Sequence, residues 1–170
     1  DLPMYLDQPT LDYLNNAMPY ALKPLEEGAW YYRPALLPNV VRSTGEFSTE
    51  QGVKIQTLRL DHRVMDALGF RFGGLAYTPD VWDLPPETLP VLENLDTWIV
   101  DAYQYDPHGS HAHVEKTLKW VEKLKPRRTI LTNLGKSLDY EELSEQLPDG
   151  VECGYDGLGS VRHLFEFEVV

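Results

Sequence analysis

The sequence predicts a mixed α/β layered fold. Apolar runs of strand length end repeatedly in a polar residue, a glycine pair joins two such runs as a hairpin, and helical periodicity fills several of the intervals. Strands and helices that alternate in this way, with hairpins between, point to sheet covered by helices rather than to a sandwich or a bundle.

Leu2-Pro3-Met4-Tyr5-Leu6 is a short apolar stretch of strand character, and Pro9-Thr10 introduces Leu11, Leu14 and Met18 at helical spacing. From Tyr20 to Asn39 the prolines, Gly28 and the aromatics Trp30, Tyr31 and Tyr32 follow neither period, which predicts a long ordered loop over a core or cleft. Val40-Val41 reads as a strand. Val53, Ile55 and Thr57 alternate with Lys54 and Gln56 in another, whose phase shifts at Leu58 and Leu60 shortly before His62. Phe70-Arg71-Phe72 and Leu75-Ala76-Tyr77 flank Gly73-Gly74 as the arms of a tight hairpin, and the second arm runs into Thr78-Pro79-Asp80.

Pro86 to Leu95 has room for a short helix, against which Pro90 argues. Thr97-Trp98-Ile99-Val100 is a buried strand leading to Asp101. Ser110 is placed to cap a helix whose Val114, Leu118, Val121 and Leu124 share one face and whose last turn is basic. Thr129-Ile130-Leu131-Thr132 is a further strand, and Asp139 with Glu142 makes a capping-box-like start to a helix through Leu147. Val151 and the tail Val161 to Val170 supply the last strands. No repeat or low-complexity segment interrupts this order, and 170 residues suffice for one domain with a sizeable core.

Composition narrows the function. With 42% hydrophobic and 25% charged residues the chain is of globular rather than disordered type. A formal net charge of -12 argues against duplex nucleic acid as a partner, because such binding needs clustered Lys and Arg. It does not exclude a phosphate ester, since a bound divalent cation reverses the local sign. Cys153 is the single cysteine and cannot form an internal disulfide, which suits a reducing cytoplasm. No apolar run approaches the roughly 18 to 20 residues of a membrane span, and no signal-peptide order opens the chain. It begins at Asp1 in the run-up to a strand, so a processed or truncated product is expected.

Polar residues collect where strands end: His62, Asp80, Asp101 and Asn133. In layered α/β folds such positions build sites, although a single strand-end Asp is more often a turn or cap residue and His62 alone is evenly balanced between core and ligand. The run Asp106 to His113 holds His108, His111 and His113. His111-Ala112-His113-Val114-Glu115 begins like an H-x-H-x-D-H zinc motif, but Glu115 replaces the Asp and Lys116 stands where the last His belongs. If Ser110 caps a helix, His111 and His113 diverge, so this segment is not a self-contained site. No G-x-S-x-G elbow, Walker loop or G-x-G-x-x-G is present. Cys153 beside Gly154 lacks an activating partner and reads as buried, and Glu141-Glu142 reads as a solvated helix face.

Taken in order, Leu60-Asp61-His62, Leu68-Gly69-Phe70-Arg71-Phe72-Gly73, Ala76-Tyr77-Thr78-Pro79-Asp80, His108-Gly109-Ser110-His111, Leu131-Thr132-Asn133-Leu134, Leu147-Pro148 and Tyr155-Asp156-Gly157-Leu158 resemble one family. It is the phosphoribosyl cyclic phosphate phosphodiesterase branch of the metallo-β-lactamase-fold hydrolases. Pro3-Met4-Tyr5-Leu6 and Thr10 to Tyr20 extend the likeness over nearly the whole chain. The resemblance implies an αββα sandwich, here mainly its C-terminal half as a mixed sheet with flanking helices, and two divalent ions, zinc or manganese. It implies that His62 is a metal ligand, that Asp80 is the carboxylate bridging both ions, and that His111, in an H-P-x-H-like segment with Gly109 for the Pro, contacts phosphate or protonates the leaving oxygen. Asp101 and His108 are neighbouring candidates.

Two departures from the family pattern bear on activity. The last metal-binding His is replaced by Asn133, whose oxygen suits manganese better than zinc. The family's H-x-H-x-D-H cluster belongs ahead of the segment equivalent to Leu2-Pro3-Met4, so a partial domain with little activity by itself is expected. The function so implied is a metal-dependent hydrolase, a phosphodiesterase acting on a small or cyclic phosphodiester through a metal-bound hydroxide. Competing readings are a non-catalytic chain that binds a ligand or partner through the Tyr20 to Asn39 loop, and a thioester or lactam hydrolase. A membrane partner is not expected, and a homodimer is left open.

Overall fold

The computed structural model describes residues 2–31, 33 and 35–159. The tail Val161 to Val170, where strands are predicted, lies outside the described residues. The chain divides into two compact units, 1–45 and 46–170.

In the first unit β1 (Leu2–Leu6) pairs in parallel with β2 (Leu36–Val40), with Leu2 opposite Leu36 and Leu6 opposite Val40. Helix α1 (Gln8–Ala17) lies between them in sequence; its N-cap is Asp7, whose side chain accepts from the Thr10 N–H, and Pro9 sits where a missing N–H costs nothing. The predicted loop is therefore shorter than expected, because a 3-10 turn at Pro19–Leu22 and β2 occupy both its ends. Pro38 masks β2 in the sequence, but on an edge strand a proline is tolerated.

The second unit is built on seven strands in the order β3 (Gly45–Ser48), β4 (Lys54–Asp61), β5 (Asp66–Phe72), β6 (Leu75–Thr78), β7 (Thr97–Asp101), β8 (Arg128–Thr132) and β9 (Val151–Cys153). β4, β5 and β6 are antiparallel neighbours, whereas β6 through β9 are parallel. This is the mixed sheet with flanking helices that the sequence predicts. Gly73 takes the turn between β5 and β6 with φ of 57°, in the left-handed region that glycine enters at least cost.

Crossovers between the parallel strands carry α2 (Val114–Leu124) and α3 (Tyr140–Gln146). They cover one sheet face, where Leu58, Leu60, Ala76, Trp98, Val100, Leu131 and Cys153 form the core with Val114 and Leu143. Leu118, Val121 and Leu124 close over it from α2, as their shared face predicts. Trp98 and Thr78 are both fully buried, and the indole N–H donates to Thr78 Oγ1 at 2.9 Å. A buried indole requires such a partner.

One element differs from expectation in a way that shapes the site. Helix α2 starts three residues later than a Ser110 cap implies, with His113 at the N-cap position and no side-chain cap. The backbone around 111–114 is claimed instead by neighbouring strand ends: Ala112 N–H donates to Val81 O, Tyr103 N–H to Ala112 O, and Val114 N–H to Gln104 O, at 2.6, 2.9 and 2.9 Å. Neither His111 nor His113 lies within the helix.

Candidate metal centre

Because β4 and β6 are both antiparallel to β5, and β6, β7 and β8 are mutually parallel, the C-terminal ends of β4, β6, β7 and β8 share one sheet edge. His62 follows β4, Asp80 follows β6, Asp101 ends β7 and Asn133 follows β8. The topology thus gathers the four polar strand ends on one edge.

His62, Asp80 and His111 each offer one ligand atom, and these atoms lie within 4.8 Å of one another. It is the one such group of His, Cys, Asp and Glu among the described residues. The two Nε2 atoms of His62 and His111 are 3.4 Å apart, with the rings edge-on at 73°. Two imidazole nitrogens bound to one tetrahedral ion at about 2.0–2.1 Å lie about 3.3 Å apart, so this spacing fits a shared divalent cation.

The far nitrogen of His111 is also fixed. Its Nδ1 lies 2.8 Å from Oδ2 of Asp101, a residue with no exposed surface. Oδ2 also accepts from the Val81 N–H at 3.2 Å, whereas Oδ1 has no hydrogen-bond partner among the described residues. Burial pushes the Asp101 carboxyl up to about 8; the Val81 N–H opposes this and the nearby Asp80 charge adds to it. Burial likewise lowers the His62 imidazole, aided by His111 and opposed by Asp80. A lowered value keeps His62 neutral at pH 7 and its lone pair free for a metal.

Packing holds the rings. The Tyr103 ring stacks on His111, with centroids 5.0 Å apart and planes at 24°, and meets His108 at 4.7 Å. His108 Nδ1 accepts from the N–H groups of Ser110 and His111 at 3.3 and 3.2 Å, so it organises the loop beneath the group. His113 is absent from the cluster. Asn133 sits at its rim with φ of 60°; its Nδ2 donates to Pro79 O at 3.3 Å and lies 3.2 Å from His111 Nδ1. Its amide nitrogen, rather than its oxygen, is turned to the group.

Sequence reasoning gave Asp101 little weight and did not single out Tyr103 for the site. One signal for Asp101 is its place at the close of the wholly apolar run Trp98-Ile99-Val100, where a carboxylate that is buried needs a partner. Nothing in the sequence marks Tyr103, whose role comes from the path of the 103–112 loop.

The sheet and the polar edge define a metallo-β-lactamase-type chain. The family model of the beta-lactamase superfamily domain matches residues 1–132, and the chain belongs to that family of hydrolases. Among solved structures the chain is similar to a diphosphatase of the PhnP family, with 26% identity and a TM-score of 0.80 over 92% of this chain and 56% of that one. This supports the PhnP phosphodiesterase branch. The zinc-bound PqqB of Methylobacterium extorquens shares the fold at 12% identity and a TM-score of 0.68, over 92% of this chain and 63% of that one. An octanoyltransferase of Porphyromonas gingivalis (strain ATCC BAA-308 / W83) is 23% identical over 163 residues, which are 95% of this chain and 32% of that protein. The chain therefore spans about half of the diphosphatase and about a third of the octanoyltransferase. The fold family implies divalent metal ions, and the His and Asp donors present fit one. No helix among the described residues is long and apolar enough to cross a membrane.

Proposed function

We propose that the protein is a metal-dependent phosphodiesterase acting on a small or cyclic phosphodiester, with His62, Asp80 and His111 as ligands to zinc or manganese. The observation that carries this reading is the convergence of the three side chains within 4.8 Å from separate segments, one of them anchored on a buried carboxylate. A divalent ion held there supplies Lewis acidity toward a phosphoryl oxygen and a positive field in a chain of net charge -12. The likeness to a diphosphatase at 26% identity favours phosphorus over carbon as the centre attacked.

Asp101 orients His111. Asp101, whose carboxyl titrates at about 8 without a metal, would be held ionised by a bound cation and would then accept a hydrogen bond from Nδ1–H, which leaves the Nε2 lone pair free for that cation. The leaving-oxygen role implied for His111 by resemblance would use that same Nε2, and one nitrogen cannot ligate and protonate at once. The 3.4 Å spacing favours ligation. Asn133 is held beside the group by the bond from its Nδ2 to Pro79 O; as a ligand it would have to turn its oxygen inward. Three ligands suit one ion, and a two-ion centre requires donors beyond these three. The buried, unpaired Cys153 fits a cytoplasmic setting.

A second reading, chemistry at a thioester or lactam carbonyl, draws on the octanoyltransferase likeness, although that match covers only 32% of the relative. The test is turnover of an aryl phosphodiester and an aryl thioester by the full-length protein with zinc or manganese added. Hydrolysis of the diester, removed by chelation and by Asp80→Asn, is expected, with little turnover by the 170-residue chain alone. Hydrolysis of the thioester only would overturn the proposal. Metal content of His111→Gln separates the two roles of that ring: a ligand variant loses metal, and a proton-donor variant keeps it.

A further inference from the structure

Lys116, which stands where the last His of a zinc motif belongs, falls in the first turn of α2. A cation there faces the positive end of the helix dipole, which is locally unfavourable. Partners outside the helix offset that cost. Its Nζ donates to Trp82 O, lies 3.2 Å from Asp83 Oδ1 and stands 4.1 Å from the centroid of the Trp82 ring. The Trp120 ring, one turn further along α2, is 5.2 Å away. An ammonium that gains cation–π attraction from two indoles as well as a charge-assisted hydrogen bond is held in one place.

The segment it holds follows directly from Asp80. Residues 80–82 lie outside helix and strand, and Asp83 makes only an isolated bridge to Asp61, so individual bonds position this backbone. Trp82 N–H and Asp83 N–H both donate to Asp61 O, at 2.7 and 3.0 Å, and Asp61 N–H returns to Asp83 O at 3.2 Å. Asp61 precedes His62. Val81 N–H donates to Asp101 Oδ2, the oxygen that meets His111, and Val81 O accepts from the N–H of Ala112, the residue after His111. The segment that carries Asp80 is thereby bonded to the immediate surroundings of His62 and of His111. Val81 and Leu84 anchor it in the core. Between those anchors Trp82 and Asp83 are half-buried, and there Lys116 ties them to α2.

We infer that Lys116 is a positioning residue for the candidate metal centre: by fixing Trp82 O and Asp83 to α2 it sets where Asp80 stands relative to His62 and His111. The inference rests on the metal-dependent reading of the site. A ligand set works only when its members are held to within about 0.5 Å, and irregular backbone supplies that precision only where its polar groups are bound. A carbonyl that accepts from a partly buried ammonium cannot shift without leaving that charge unpaired. Lys116 touches neither the ion nor the substrate on this view; it acts through the 80–83 segment.

The experiment compares Lys116→Met, which keeps the stem and removes the charge, with Lys116→Arg in the full-length protein. Lys119→Met, an exposed site on the same helix paired with Glu115, is the control. Competition with a chelator should show a roughly tenfold loss of manganese or zinc affinity in Lys116→Met, partial recovery in Lys116→Arg and no change in the control. The visible absorption of cobalt(II) bound in place of zinc should shift in Lys116→Met, since it reports ligand geometry. In the metal-free protein, hydrogen exchange of the amides at 81–83 should quicken by about tenfold, while that of β8 stays as it was. Unchanged metal affinity in Lys116→Met would overturn the inference, and so would exchange that quickens equally in β8, which marks general destabilisation. A wild-type protein that binds neither ion would remove the metal reading by itself. Exchange confined to 81–83 would still sustain Lys116 as the residue that holds Asp80's segment, and unaltered exchange there would overturn it.

Discussion

Asp101 Oδ2 lies 2.8 Å from His111 Nδ1, and the carboxyl that makes this contact is fully buried. The pair decides which nitrogen of His111 carries a proton. An ionised carboxylate, the form a bound cation favours, accepts a hydrogen bond from Nδ1–H and leaves Nε2 as a ligand; an amide in its place can donate to Nδ1 and force the proton onto Nε2. Asp101→Asn preserves shape and reverses this polarity. The expected result is a loss of about 10- to 100-fold in zinc or manganese affinity, read by competition with a chelator, with the fold retained by circular dichroism.

The same burial sets a pH dependence for the metal-free chain. An unfolded Asp titrates near 3.8, whereas Asp101 in the folded chain titrates at about 8. Between these values the folded state binds the extra proton, so stability is greatest below the lower value and falls as pH rises through the upper one. Urea unfolding should show a loss on the order of a few kcal/mol from pH 4 to pH 8 that Asp101→Asn largely removes. A pH-independent difference between the two proteins would contradict this assignment.

The strand ends His62, Asp80 and Asn133 are legible in the sequence because period-two patterning locates each strand and a polar residue marks its exit. Their gathering on one edge is not legible, since it depends on pairing order: β4 must run parallel to β6 although β5 lies between them. The segment before α2 misleads for a physical reason. Ser110 with a basic-ended apolar helix downstream is a fair capping signal, but the backbone at 111–114 bonds to Val81, Tyr103 and Gln104, contacts too distant in sequence for local propensity to anticipate. That override is what brings His111 into the group.

Core and site should respond separately. Thr78→Val keeps the volume at a fully buried position and removes the acceptor for the Trp98 indole N–H at 2.9 Å. An unpaired buried donor costs about 1–3 kcal/mol, which denaturant unfolding measures directly. Metal affinity should be unchanged, because Thr78 points to the core and not to the polar edge.

Gly135 controls the ring that backs His111. A Cβ built there would lie 2.6 Å from Tyr103 O and 3.1 Å from atoms of its ring, and Gly135 N–H already donates to that carbonyl at 2.8 Å. Backbone cannot yield as a flexible side chain does, so Gly135→Ala should displace Tyr103 and with it the stacked His111. We expect destabilisation of about 1–3 kcal/mol together with weaker metal binding. Destabilisation with full metal affinity would show that the Tyr103 stack does not position the imidazole.

The family resemblance implies a metal-binding His at the position of Asn133, and the geometry there leaves room for one. Its φ of 60° lies in the left-handed region, where Asn is favoured but His is also accommodated. Its side chain is exposed and reaches within 3.2 Å of His111 Nδ1, so an imidazole at this position has room to turn toward the group without disturbing the core. Nitrogen is a better zinc donor than an amide oxygen, whereas manganese discriminates less between them. Asn133→His should therefore raise zinc affinity by about tenfold or more and manganese affinity by less, a shift in selectivity that isothermal titration with each ion resolves. An equal rise for both ions would point to added charge or basicity near the group rather than to a new ligand, and no rise would place residue 133 outside coordination reach.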